Sequence, residues 1–179
     1  MSYQVSASEI KRAQHLHSVL LFDFIVVHVF VFILALSLIK SSYIPLSLMP
    51  LLSVGALGYV MFKARRALTQ EPVWFVRCHM ILAGRRARMF FALFVVTGAF
   101  TAAMYFGGGQ IGLSPIASLS LAFGLGQLPF MASLLVLIVL EFDAEHQCKK
   151  GKIPAAALAL HPAPTIVARA SQNDGSPAP

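Results

Sequence analysis

Four long apolar stretches, Val19 to Ile39, Ile44 to Phe62, Met89 to Phe106 and Leu113 to Leu140, leave this chain few folds to choose from. A bilayer's hydrocarbon core is about 30 Å thick, and at about 1.5 Å of rise per residue roughly 20 helical residues cross it. Amides left unpaired in lipid are too costly to persist, so each stretch reads as a helix. The fourth is longer than a crossing needs and must tilt, kink or protrude. Only 12% of the 179 residues are charged while 58% are apolar. That is about half the charge of a soluble domain and excludes an ordinary cytosolic enzyme. The expected architecture is an all-α integral membrane protein. A leader over 1–17 runs into helix 1, and a four-helix transmembrane bundle fills 18–146, with spans at about 19–39, 44–62, 89–106 and 113–140. A loop over 63–88 joins the two hairpins, and 147–179, rich in Ala, Pro and Ser, is expected to be a flexible tail.

Basic residues orient the bundle. Lys11 and Arg12 lie in the leader, Lys63, Arg65, Arg66, Arg77, Arg85, Arg86 and Arg88 in the middle loop, and Lys149, Lys150, Lys152 and Arg169 in the tail, which leaves Lys40 alone elsewhere. An even number of spans puts these three segments on one side, and the positive-inside rule makes that side cytoplasmic, N-in and C-in. A net charge of +7 is then explained by topology and by attraction to anionic headgroups, without direct nucleic-acid binding. Cys78 and Cys148 both fall on the reducing side, where a structural disulfide is not expected. Ser6 and Glu9 have capping-box spacing, so helix 1 is expected to begin in the polar leader. Within 63–88, Pro72 suits a first helical position and Trp74 the headgroup zone. Trp74 to Leu82 therefore reads as a short interfacial helix between helices 2 and 3. Trp74, Phe75 and Arg77, with Arg85, Arg86 and Arg88 beyond, form a candidate docking surface for a partner.

Inside the bilayer, helices associate through close backbone approach and a few hydrogen bonds. Small residues four apart supply the approach: Gly98 with Ala102 in the third span, and Ser118, Ala122 and Gly126 beside Ser120 and Gly124 in the fourth. Packing within the bundle and a homo-oligomer interface are the two readings. Pro129 lacks the N–H its helix would use, so a kink is expected near Gly124, Gly126 and Gln127. An acid at membrane depth needs a partner or a proton, and Asp23 is expected to pair with Arg85, Arg86 or Arg88. His28 lies five residues on, about 140° around a regular helix from Asp23, so the two are not expected to meet. His28 reads as an interhelical hydrogen-bonding residue or, alternatively, as a haem ligand. Cys78, His79, His146 and Cys148 are the ligand types of a zinc site, although their spacing fits none of the usual patterns. No phosphate loop, metalloprotease motif or nucleophile elbow occurs, and no cofactor is expected.

The polar leader, Leu21-Phe22-Asp23-Phe24 opening the first span, and Trp74-Phe75-Val76-Arg77-Cys78-His79 leading to Arg85-Arg86-Ala87-Arg88-Met89-Phe90 resemble the small polytopic membrane proteins of I-type conjugative transfer systems, the TraQ kind, over about residues 9–145. That resemblance implies an inner-membrane component of a DNA-transfer machine related to type IVB secretion, without enzymatic activity of its own. The expected function is a non-enzymatic scaffold or assembly subunit whose partners are other membrane-complex subunits. A haem- or quinone-binding redox anchor and a small transporter or channel are the alternatives.

Overall fold

A computed structural model describes residues 5–38, 41–42 and 44–162, apart from the side chains of Leu36, Leu46 and Phe123. Every regular element among them is helical, and four helical runs are long and apolar enough to cross a membrane. By composition this is a multi-pass membrane protein. The first run joins α1 (Ala7–Phe22), a π-wound stretch (Asp23–Val31) and α2 (Phe32–Leu38). The second is α3 (Ile44–Gln70) and the third α4 (Trp74–Gly107), which closes in a 3₁₀ turn (Gly108–Ile111). The fourth joins α5 (Pro115–Leu121), a second π-wound stretch (Ala122–Gln127) and α6 (Leu128–Lys149). A short α7 (Ala155–Leu160) follows.

The capping box at the start of α1 forms as its spacing requires: Glu9 N–H donates to Ser6 Oγ at 3.3 Å and Ser6 N–H to the Glu9 carboxylate at 2.8 Å. The middle of the chain departs from expectation. Residues 63–88 are not a loop, because α3 continues to Gln70 and α4 begins at Trp74, leaving Glu71 to Val73 as the connection. Trp74 to Leu82 is accordingly no separate interfacial helix but the first turns of the third spanning helix. Glu71 holds the turn, accepting from Val73 N–H at 3.3 Å on its carboxylate and from Arg77 Nε at 2.9 Å on its carbonyl. The two helices leave this turn in close contact. A Cβ on Gly84 would lie 2.3 Å from the Cβ of Ala64, so only glycine lets α3 and α4 cross there.

Two apolar clusters stack along the bundle. The larger lies at the level of the apolar stretches, with Leu20 and Phe24 from the first run, Leu57 and Val60 from α3, Phe90 from α4 and Leu134 from α6. The smaller lies at the end that carries the leader, the α3–α4 turn and the segment after α6. Ala13, Phe75, Val76, Cys78, Ala144 and Cys148 meet there with Ile153 and Ala157. Residues 151–162 are therefore not a flexible tail. Gly151, at φ +65°, closes α6 in a left-handed turn, with Gly151 N–H donating to Cys148 O at 3.0 Å and Lys152 N–H to Gln147 O at 2.9 Å. The chain then folds back so that α7 packs on α4. Residues 163–179 lie outside the described residues.

Candidate functional site: two buried acid–imidazole clusters

The polar residues that matter most line up on the buried stripes of three helices. On α1 the inward positions are Ala13, Leu16, His17 and Leu20; on α4 they include Phe75, His79, Leu82, Arg86 and Phe90; on α6, Leu134, Leu137, Glu141, Ala144 and Cys148. Each set follows the three-and-four-residue helical repeat, so a polar residue on the stripe is carried into the core with its apolar neighbours. His17, His79 and Glu141 are fully buried, and Arg86 is 7% exposed.

These four side chains form one hydrogen-bonded chain. Arg86 Nη1 donates to Glu141 Oε1 at 3.1 Å and to the carbonyl of Leu140 at 2.9 Å. Glu141 Oε2 lies 2.6 Å from His17 Nδ1, His17 Nε2 lies 3.2 Å from His79 Nδ1, and His79 Nε2 lies 3.1 Å from the carbonyl of Lys152. A carbonyl only accepts, so His79 Nε2 carries a proton and donates it to Lys152 O. A neutral His79 then accepts at Nδ1 from the Nε2–H of His17. One proton remains for the short contact between His17 and Glu141. With the proton on the imidazole they are an ion pair inside a low-dielectric core, and with it on the carboxyl they are a neutral pair. The chain ties α1, α4, α6 and the segment after α6 together, and Gly151 is the residue that aims the Lys152 carbonyl at His79. Gln14 of α1 adds a side-chain hydrogen bond to Glu145 of α6 on the same side.

The second cluster lies deeper. Asp23 and His28 are buried and do meet, contrary to the geometry of a regular helix, because the stretch between them is π-wound and residue i+5 returns to the same face. His28 Nδ1 donates to the Asp23 carbonyl at 3.1 Å, while its distance to Asp23 Oδ2, 3.8 Å, exceeds hydrogen-bond reach. Ser53 of α3, also buried, donates to Asp23 Oδ2 at 3.2 Å. The expected pairing of Asp23 with Arg85, Arg86 or Arg88 is therefore replaced. Arg86 is taken by Glu141, and Arg85 and Arg88 are exposed. Asp23 Oδ1 and His28 Nε2 have no hydrogen-bond partner among the described residues. The rings of Phe90, Phe94 and Phe130 surround the imidazole of His28 at centroid distances of 4.8, 5.8 and 5.6 Å. A haem on Nε2 would have to displace those rings.

The zinc-type residues are not brought together. Cys78 Sγ is directed at the carbonyl of His161 and Cys148 Sγ at that of Ile10, both at 3.8 Å, while His79 is committed to His17 and His146 is exposed. Among the described residues no three His, Cys, Asp or Glu side chains are grouped to hold a metal. The docking surface also changes. Phe75 is buried against His79, Trp74 is half-buried and Arg77 is turned onto Glu71, so only Arg85 and Arg88 of that set face outward. In the fourth run, Ser118, Ala122 and Gly126 do form a packing row. A Cβ on Gly126 would come within 2.6 Å of Thr101 Oγ1, and Thr101 donates to the Ala122 carbonyl at 3.3 Å. Gly98 and Ala102 face outward instead, and a Cβ on Gly98 or Gly124 would meet nothing. Gln127 is half-buried at the end of the second π-wound stretch, immediately ahead of Leu128 and the exposed Pro129.

Sequence reasoning missed Glu141 and gave His17 no role. Their signal is their place on the buried stripes, which becomes visible only when α1, α4 and α6 are continued beyond the apolar stretches. No family model, curated protein or solved structure matches this chain.

Proposed function

We propose that the chain is a non-enzymatic scaffold or assembly subunit of a multiprotein membrane complex, with both termini and the α3–α4 turn in the cytoplasm of a bacterial inner membrane. The observation that carries this reading is the Arg86–Glu141–His17–His79–Lys152 chain. Its members bond to one another and to two backbone carbonyls, and so tie α1, α4, α6 and the segment after α6 into one block. Such a block is a rigid mount for a partner; Arg85 and Arg88 are exposed on its α4, Lys149 on its α6, and Arg65 and Arg66 on the neighbouring α3. Thirteen of the fourteen Lys and Arg residues belong to segments placed on this side, which supports the cytoplasmic assignment. An acidic face on another subunit is the complementary surface. A conjugative transfer apparatus is the complex that the resemblance to the TraQ kind implies.

Mild-detergent purification from native membranes, followed by mass spectrometry, tests the reading. A defined partner is expected to co-purify with the native chain and to be lost from Arg85→Glu/Arg88→Glu, whose thermal stability stays unchanged. A chain that purifies alone, or a partner indifferent to both reversals, removes the proposal.

A second reading, proton handling within the membrane, is favoured by the unpartnered Asp23 Oδ1 and His28 Nε2. Buried acids and imidazoles at membrane depth are the usual components of proton relays. Proton flux into liposomes that disappears with Asp23→Asn would establish it, and the absence of flux in the native chain would dismiss it.

A further inference from the structure

Beside the buried chain, on the other side of α1, an open cleft of about 450 Å³ lies between α1, α3 and the start of α4. Lys11, Arg12 and His15 of α1 line one wall, Tyr59 and Lys63 of α3 the other, and Leu16 and Met80 the apolar floor. The basic groups are arranged by contacts of their own. His15 Nε2 and the Tyr59 hydroxyl are hydrogen-bonded at 3.0 Å, and Lys63 Nζ sits 5.9 Å from the centroid of the Tyr59 ring. Arg12 reaches both carboxylate oxygens of Glu71, each at 3.2 Å, so the one acid lining the cleft is already neutralised. Lys11 and Lys63 have no carboxylate within ion-pair distance among the described residues. Two uncompensated ammonium groups facing one concavity repel each other unless an anion lies between them.

The place of the cleft along the helices says which anion. Its residues on α3 straddle Phe62, where the apolar stretch ends, and its residues on α1 stop just short of Val19, where that helix turns apolar. That level is the headgroup zone of a bilayer. Phe62, between the two α3 residues, and Phe22, beyond Leu16 on the first run, are both more than half exposed and suit acyl chains. A second concavity of about 290 Å³, lined by Lys63, Arg66, Ala67, Gln70, Glu71 and Met80, shares the Lys63 wall and extends the basic surface along α3. We infer that this cleft is a binding site for the phosphate headgroup of an anionic glycerophospholipid, held between Lys11 and Lys63, with Tyr59 positioning Lys63 and His15. Basic recesses between membrane helices at the cytoplasmic interface recognise such headgroups through charge and hydrogen bonds to phosphate oxygens.

Native mass spectrometry of the full-length protein tests the inference. The protein is released from nanodiscs of phosphatidylcholine containing a minor share of phosphatidylglycerol and delipidated stepwise. One phosphatidylglycerol is expected to remain bound after the phosphatidylcholine is gone. Lys11→Gln/Lys63→Gln is expected to lower that retention roughly 25-fold, at about fivefold per lysine. Lys150→Gln/Lys152→Gln, which removes the same charge from residues outside the cleft lining and keeps the Lys152 carbonyl, is the control and leaves retention unchanged. Equal loss in the control would mean diffuse attraction to the bilayer and would overturn the site. So would retention unaffected by the cleft substitutions. In a third arm, excess inorganic phosphate is added in detergent. Displacement of the lipid by phosphate alone would make the site one for a soluble anion and would also overturn the lipid assignment. Thermal melting of each variant separates loss of lipid from loss of fold.

Discussion

Removing Glu141 is the sharpest perturbation of the proposed mount. In Glu141→Leu, Arg86 keeps the Leu140 carbonyl at 2.9 Å but loses its carboxylate, and His17 Nδ1 loses its partner at 2.6 Å. Breaking one side of a buried ion pair costs about 3–5 kcal/mol, because the remaining charge stays desolvated. The lower end applies here, since Arg86 is slightly exposed and since helices unfolded within a membrane still find polar partners. For a chain of this size about 3 kcal/mol corresponds to a fall in Tm of about 6–12 °C. The protein supplies its own probe. Its two cysteines, Cys78 and Cys148, are buried, so a thiol-reactive fluorophore reports unfolding directly. Glu141→Gln is expected to fall between Glu141→Leu and the native chain, because its amide oxygen accepts from Arg86 while its NH₂ donates to His17. Arg86→Met/Glu141→Leu is expected to recover most of the loss, since removing both charges leaves neither stranded. If the effects of Arg86→Met and Glu141→Leu, each measured singly, instead add to within about 0.5 kcal/mol, the residues are not coupled and the mount has been misread.

Three other substitutions probe the elements that position this chain. Gly151→Ala places a Cβ at φ +65°, which should cost about 1–2 kcal/mol. In the same thiol melt it should also loosen α7, read as faster amide exchange over 155–160. Gly84→Ala drives a Cβ to 2.3 Å from that of Ala64 and should destabilise by about 1–3 kcal/mol. Ala64→Gly should restore most of that loss, and failure to do so would mean that α3 and α4 do not cross there. Ser53→Ala removes the donor to Asp23 Oδ2 and should lower stability by about 1–3 kcal/mol, whereas Ser53→Thr, which keeps the hydroxyl, should not.

The spans were legible because lipid imposes one rule on every backbone amide, and hydropathy alone then marks where helices must be. Apart from the capped start of α1, the ends of the helices were not. Residues 63–88 carry seven basic side chains, and their polarity suggested a loop. In the structure most of those side chains point outward from two helices that simply continue, and the same turns bury Phe75, Val76, Leu82 and Ala83 on the inner face. Average polarity hides such a helix, while its three-and-four-residue repeat reveals it. Glu141 escapes notice for the same reason, lying on a stripe that runs past the apolar stretch, whereas His17 lies in a leader already expected to be helical and is hidden because its partners come from two other helices. The meeting of Asp23 and His28 was beyond pattern reading altogether. It depends on a change from i+4 to i+5 winding over Asp23–Val31, and a run of valines, phenylalanines and isoleucine carries no mark of that change.

The two polar clusters differ in what stability asks of them. His17, His79, Glu141 and Arg86 satisfy one another and two carbonyls, so removing any one strands the rest. Asp23, His28 and Ser53 leave one oxygen and one nitrogen without a partner in a core walled by phenyl rings, and such a cluster is a net cost to the fold. Replacing a buried polar group together with its partners by apolar side chains of similar volume is often neutral or stabilising, by about 1–4 kcal/mol. Asp23→Val, Ser53→Ala and His28→Leu introduced together should therefore leave the Tm unchanged or raise it. If the triple variant instead melts far below the native chain, the deep cluster holds the bundle together as the other does. If it melts higher yet no longer supports the chain's role in the cell, Asp23 and His28 are retained for chemistry, and proton handling becomes the reading to pursue.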